Sequence, residues 1–231
     1  MKNILLIGGS YGIGLALAKE LQFDHKVFIA SRTSENIADL NVTYIPFDAA
    51  TDTLDITLLP ESIDGLVYFP GSINLRPFRA LKMEAFENDM QINFFNMVKV
   101  LQTVLPNLTA SSQSSVVLFS SVAASMGMPF HSSIAAAKGA VEGFAKALAA
   151  EYAPKIRVNV IAPSLTDTPL ANKFLNSDEK KEKSAQRNPL KKVGSAEDLA
   201  QTASFLLSEK SSWISGQIFH VDGGMSTLLV N

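Results

Sequence analysis

Asn3 to Gly14, NILLIGGSYGIG, joins a short apolar run to a glycine-rich turn and the opening of a helical pattern. The length of the run, its β-branched content and the glycines behind it predict a buried strand from Asn3 to Ile7. Glycines at Gly8, Gly12 and Gly14 let a backbone turn sharply and approach a pyrophosphate, whose charge the free N–H groups of the next helix stabilise. The spacing is Gly8-x3-Gly12-x-Gly14 rather than G-x-G-x-x-G, and a lone glycine turn also reads as a plain βα connection without a ligand. Its weight comes from its place at the head of a βαβ series.

Downstream, short apolar runs alternate with helical patterns, the signature of βαβ units and a parallel sheet. Lys26 to Ala30, Val42 to Phe47, Ile63 to Phe69, Val116 to Phe119, Ile156 to Ile161 and Gln217 to Val221 read as further strands. The expected fold class is therefore α/β: a doubly wound sheet of seven parallel strands with helices on both faces, in one domain spanning residues 1–231. Helices are expected over Ile13 to Gln22, Lys82 to Leu105, Ile134 to Tyr152 and Ala196 to Leu207. Ser195 is the N-cap of the last, with Asp198 three residues on. Pro163 to Lys192 has weak periodicity and reads as a long lid or binding loop, with Lys180 to Lys183 as the solvated face of a lid helix.

A chain of 231 residues with 47% hydrophobic content can bury a sizeable core. Twenty Lys and Arg against 22 Asp and Glu give a net charge of -2 with no basic stripe, which argues against nucleic acid or an anionic membrane as the main partner. The absence of cysteine rules out disulfides and thiolate metal sites. A strand beginning three residues from Met1 leaves no expected secretory leader, and no apolar run approaches ~18 residues, so a cytoplasmic location is expected.

Ligands of open parallel sheets sit beyond the carboxyl ends of the strands. Val116 to Lys138 (VVLFSSVAASMGMPFHSSIAAAK) runs from a strand through Ser120 and Ser121 to a helix carrying Lys138, which directs both serines and the lysine toward one site. At the end of the second strand, where a carboxylate would bind both ribose hydroxyls of NAD, stand Ser31 and Arg32. A donor and a fixed cation there suit a 2′-phosphate, hence NADP with NAD possible, unless Arg32 is an ordinary surface arginine. Asp48 could accept from an adenine amino group or simply shape a turn.

The order Gly8-x3-Gly12-x-Gly14, Asp48, Asp64, Asn93, Ser121, Lys138, Asn159-Val-Ile-Ala-Pro163 and Asp222-Gly-Gly224 resembles the short-chain dehydrogenase/reductase family over nearly the whole chain. The resemblance implies a Rossmann-type fold, a nicotinamide cofactor, a small-molecule substrate, and a homotetramer or dimer built on the helices carrying Asn93 and Lys138. By position, Ser121 would hold the substrate oxygen, Lys138 would bind the nicotinamide ribose, and Asn93 would hold a water in a proton relay. The cofactor would touch Gly8, Ser10, Tyr11, Gly12, Ile13 and Gly14, then Ser31, Arg32, Asp48, Ala49, Gly71 and Lys138. It would also touch Pro163, Ser164, Thr166 and Thr168, in a segment wrapping the nicotinamide.

The chain also departs from the family. The position of the catalytic tyrosine, four before Lys138, is Ile134; Tyr68-Phe69-Pro70-Gly71 replaces the Asn-Asn-Ala-Gly turn; and Pro163-Ser164 replaces Pro-Gly. Reduction of a carbonyl leaves an alkoxide that must be protonated, so another donor is required. His131 lies seven before Lys138, where the enoyl reductase branch of the superfamily places its tyrosine, and an imidazole can donate near neutral pH; it can equally serve only to start the helix or to hydrogen-bond a backbone carbonyl. Ser121, Ser132 or Ser133 passing a proton from water, or Lys138 itself, are the other options. The expected function is an NADP-dependent oxidoreductase acting on a carbonyl or activated C=C. The alternative is a catalytically inactive NADP-binding sensor or regulatory subunit of a hetero-oligomer.

Overall fold

The computed structural model of the chain describes residues 1–230; Asn231, the last residue of the expected domain, lies outside them. Among the described residues the strands are β1 (Asn3–Ile7), β2 (Lys26–Ser31), β3 (Val42–Pro46), β4 (Gly65–Tyr68), β5 (Ser114–Phe119), β6 (Ile156–Pro163), β7 (Thr166–Asp167), β8 (Gly194–Ser195) and β9 (Ile218–Val221). Seven of these form one sheet in the order β3-β2-β1-β4-β5-β6-β9, every pair parallel, while β7 pairs only with β8. All seven expected strands are present, and their connections make a doubly wound, Rossmann-like sheet. Ile63 lies outside β4 because its N–H goes to the Asn107 carbonyl on a helix instead of to the sheet.

Alternation along each strand assigns side chains to one of two cores. Ile4, Leu6, Val27, Ile29 and Val117 meet α1 (Gly12–Leu21) and α7 (Ala196–Leu207) on one face. Leu5, Ile7, Leu66, Val116, Leu118 and Val158 meet α3 (Asn96–Ala110) and α4 (Ser132–Tyr152) on the other. Cover on both faces is why these strands read as near-continuous apolar runs instead of alternating ones. Gly65 allows α7 to close on the sheet: a Cβ there would lie 2.7 Å from Ile4 Cδ1 and 2.8 Å from Leu207 Cδ2. The start of α7 is held by the expected capping box, with Ser195 Oγ accepting from Asp198 N and the Asp198 carboxylate accepting from Ser195 N.

Two expectations need correction. The single helix read from Lys82 to Leu105 is α2 (Met83–Met90), a π-helical turn (Gln91–Phe95) and then α3, which continues through Pro106. Proline removes one backbone donor, but Leu108 beyond it is buried in the core, and that packing carries the helix on to Ala110. The segment read as a long loop from Pro163 to Lys192 contains α5 (Asn172–Leu175) and α6 (Asp178–Gln186). α6 is the lid helix expected at Lys180 to Lys183; it is too polar to show an apolar period, and its bounds are set by the Ser177 N-cap, whose Oγ accepts from Lys180 N, and by Asp178 and Glu179 in its first turn.

Candidate active site

The strand order reverses at β1, which pairs with β2 on one side and β4 on the other, so the loops after β1 and β4 open the crevice. They close on one another: a Cβ at Gly8, whose φ is +79°, would lie 3.1 Å from the Pro70 ring. The crevice continues over the ends of β5 and β6 and under the α5–α6 lid as one cleft of about 1170 Å³. Thr168 and Pro169 bring the lid over the glycine turn, Lys173 Nζ reaches across to the Ile73 carbonyl at 2.7 Å, and Asn188 Nδ2 donates to Asp222 O at 2.7 Å.

The cleft gathers nearly every residue expected in the site. Gly8, Ser10, Tyr11, Gly12, Ile13 and Gly14 line its first end, with Ser31, Arg32, Asp48 and Ala49 beside them. Gly71, Ser121, His131, Ile134 and Lys138 line its middle, and Pro163, Ser164, Thr166 and Thr168 its far wall. Tyr11 is the N-cap of α1 but makes no side-chain cap bond, whereas Ser177 and Ser195 cap α6 and α7. The N–H groups opening α1 thus have no side-chain acceptor at the place where a pyrophosphate is expected. That arrangement fits a dinucleotide.

Several of these side chains are already engaged. Ser31 Oγ donates to Thr33 O at 2.9 Å, so the cation of exposed Arg32, which has no ion-pair partner among the described residues, is the freer group at this end. Asp48 Oδ1 accepts from Ala50 N at 2.9 Å, shaping its own turn. Ser120 Oγ turns away to Glu142 Oε1 at 2.7 Å. Ser121 Oγ accepts from Ala123 N at 3.2 Å, which leaves its hydroxyl proton for the cleft.

Lys138 Nζ donates to Phe119 O at 2.9 Å and is buried. Burial pushes its pKa down from 10.5 to about 8, with the Asp89 carboxylate opposing the shift. Asn93, on the π-helical turn, does not line the cleft. Its amide donates to Ser72 Oγ at 2.9 Å and Asp89 O at 2.8 Å and accepts from Ser72 N at 3.1 Å, so the side chain has no proton left for the expected water. A Cβ on Gly71 would lie 3.0 Å from Asn93 Oδ1 and 3.5 Å from Lys138 Nζ, so both groups close on the Gly71 backbone.

Among the described residues, Tyr11 is the tyrosine that lines the cleft. Tyr68 is buried in the core, where desolvation first and Asp48 second push its pKa up. Tyr11 sits at the glycine turn, Tyr44 on β3 and Tyr152 at the end of α4. His131 precedes α4, and its Nδ1 lies 2.7 Å from Pro129 O; a carbonyl only accepts, so Nδ1 carries a proton and a neutral ring presents Nε2 as an acceptor.

Sequence reasoning missed Ser72, Asp89, Phe69, Phe119 and the lid cations. Asp89 was detectable as a carboxylate on the stripe Phe86-Asp89-Asn93, spaced as one helix face; Ser72 had no comparable signal. The lysine run read as a solvated face divides by side: Lys180 and Lys183 line the cleft with Arg187, while Lys181 pairs with Asp167 at 2.6 Å.

A family model described as Enoyl-(Acyl carrier protein) reductase matches residues 10–226. A tropinone reductase homolog of Arabidopsis thaliana is 31% identical, over 97% of this chain and 92% of its own. Aldohexose dehydrogenase of Thermoplasma acidophilum, solved ligand-free, superposes with a TM-score of 0.90 at 27% identity, covering 100% of this chain and 96% of that one. ElxO, solved with NADP bound, superposes with a TM-score of 0.89 at 26% identity over 99% of this chain and 100% of its own; a tyrosine-to-phenylalanine variant of ElxO has been solved with NADPH. With a family model spanning nearly all of it and a relative above 30% identity aligned over 97% of it, the chain belongs to the short-chain dehydrogenase/reductase family of NAD(P)-dependent oxidoreductases.

Proposed function

We propose that the protein is an NADP-dependent oxidoreductase of the cytoplasm that moves hydride to or from a carbonyl or an activated C=C of a small molecule, using a proton donor other than a phenol. The observation that supports this most is the meeting of a buried lysine and a serine with a free hydroxyl proton in the same cleft as an uncapped glycine turn. When bound, the nicotinamide would supply or accept the hydride. Ser121 would hold the substrate oxygen through its hydroxyl, and Lys138 would hold the nicotinamide ribose and place positive charge where an alkoxide develops. A chain without need for chemistry has no reason to keep an ammonium buried at such cost.

Arg32 is the proposed reader of the 2′-phosphate. Arg32→Ala is expected to weaken NADPH binding about ten- to a hundredfold, corresponding to the loss of a charge-assisted pair, and to leave NADH binding unchanged. Fluorescence titration with each dinucleotide measures this, and equal affinity of the unaltered protein for NADH and NADPH would remove the preference. The activity itself is tested by NADPH consumption over ketones, quinones and enoyl thioesters. The replacement of the tyrosine position by Ile134 supports a second reading, a dinucleotide-binding sensor or regulatory subunit: NADPH binding with no turnover across that panel would establish it.

Self-association through α4 and the helix formed by the π-helical turn and α3 is proposed as well. Phe95 is half exposed, Phe94 and Phe144 pack edge-to-face at 5.7 Å, and Gly139 and Gly143 on α4 have open space beside them, so a second helix can approach closely. Light scattering is expected to return the mass of a dimer or tetramer; 24.9 kDa would refute the proposal.

A further inference from the structure

Ser72 lies in the cleft wall immediately after Gly71, at the point where Lys138 Nζ and Asn93 converge. Its Oγ donates to Asp89 Oδ1 at 2.8 Å and accepts from Asn93 Nδ2 at 2.9 Å. Its N–H is fixed to Asn93 Oδ1 at 3.1 Å. A hydroxyl has one proton and two lone pairs, so with the proton on Asp89 and one lone pair on Asn93, a second lone pair remains for a group in the cleft. Asp89 is only 3% exposed, forms no salt bridge among the described residues, and otherwise accepts only from Asn74 Nδ2 at 3.5 Å. A carboxylate buried with so few partners is costly for a role that a neutral side chain could fill.

We propose that Ser72 exchanges the proton with the substrate oxygen and that Asp89, behind it, takes up and returns that proton, a relay standing in for the missing phenol. The inference rests on the oxidoreductase reading above. In the oxidising direction the alcohol O–H bond breaks, its proton passes to the open lone pair of Ser72, and the original Ser72 proton passes to Asp89. A bound oxidised nicotinamide would accept the carbinol hydrogen with its electron pair as hydride. In reduction Asp89 starts as the carboxylic acid, loaded with a proton from solvent before turnover: the carbonyl carbon would receive the hydride, the alkoxide takes the Ser72 proton, and the Asp89 carboxyl proton replaces it, leaving the carboxylate; after oxidation the same proton returns from Asp89 to solvent. Asn93 is a positioning residue, since it fixes the Ser72 hydroxyl from the side opposite Asp89.

The test compares the unaltered protein with Ser72→Ala, Asp89→Asn and Ser72→Thr on whichever substrate of that panel is turned over, with NADPH affinity and melting temperature measured on the same samples. Ser72→Ala and Asp89→Asn are expected to lower kcat about a hundredfold or more with KM changed less than about threefold, the scale of a lost general acid-base group. Ser72→Thr, which keeps the hydroxyl, is expected to recover kcat to within about tenfold. NADPH affinity should stay within about threefold throughout. Full activity in Ser72→Ala overturns the proposal, the more plainly if His131→Ala is the variant that fails. A tenfold loss of NADPH affinity in Asp89→Asn also overturns it, by assigning the pair to loop structure. An unaltered protein that binds NADPH but turns over nothing refutes the relay together with the oxidoreductase reading, whereas an active protein with active variants refutes the relay alone.

Discussion

Lys138→Met is expected to lower turnover about a thousandfold while leaving the folded protein no less stable at neutral pH. The activity term follows from geometry, since the buried ammonium lies in the cleft lining against the Gly71 backbone and on the Phe119 carbonyl. Losing a preorganised donor and its charge in a dry site costs a hundred- to a thousandfold in rate. The stability term comes from the pKa. Lys138 ionises near 8 in the folded chain against 10.5 unfolded, so its charged form is disfavoured on folding by about 3 kcal/mol. Between those two values the unfolded chain binds more protons than the folded one, so stability rises with pH through that window; below it the full penalty applies. Methionine escapes the penalty but leaves the Phe119 carbonyl without its donor, which costs about 1–3 kcal/mol. These roughly cancel near neutrality. The pH dependence does not cancel: from about pH 7.5 to about pH 9.5 the unaltered protein should gain about 2 kcal/mol on Lys138→Met in denaturant unfolding. A constant gap would mean that the ammonium is not desolvated.

Gly14→Ala is expected to damage cofactor binding and stability together. A Cβ there would stand 2.8 Å from Gly9 Cα and 2.9 Å from Gly8 O, both backbone atoms, and 3.1 Å from the Phe69 ring. Backbone cannot rotate aside as a side chain can, so the glycine turn must move or α1 must tilt. Overpacking of this kind costs about 1–3 kcal/mol. The displaced atoms are those expected to meet the pyrophosphate, so NADPH affinity should fall about a hundredfold, or about 2.7 kcal/mol. Thermal melting and fluorescence titration check the two parts; a variant that melts normally and binds normally would show that the turn does not cradle the cofactor.

The strands were legible because parallel strands covered on both faces read as apolar runs whatever their neighbours. The N-cap of α7 was legible because Ser195 and Asp198 act within one turn of helix. The π-helical turn under Asn93 was not, since it differs from an α-helix by one residue of register and leaves the apolar spacing nearly intact. Nor was the side of the lid helix that faces the cleft, since Lys180 and Lys183 on α6 and Arg187 just beyond it acquire a direction only once the lid is laid across the sheet.

Residue identity alone determined that Lys138, Ser121 and the glycine turn would be present and that position 134 would carry no proton, because chemistry of that kind belongs to the side chain itself. Tertiary structure alone decided which hydroxyl faces the cleft. Ser120 and Ser121 are adjacent in the chain, yet the first is bonded to Glu142 and the second keeps its proton, while Ser72 and Asp89, 17 residues apart, meet at 2.8 Å. Hydrogen bonds act over a few ångströms in space and take no account of separation along the chain, so the loop after β4 and the helix α2 had to be folded together before that pair existed.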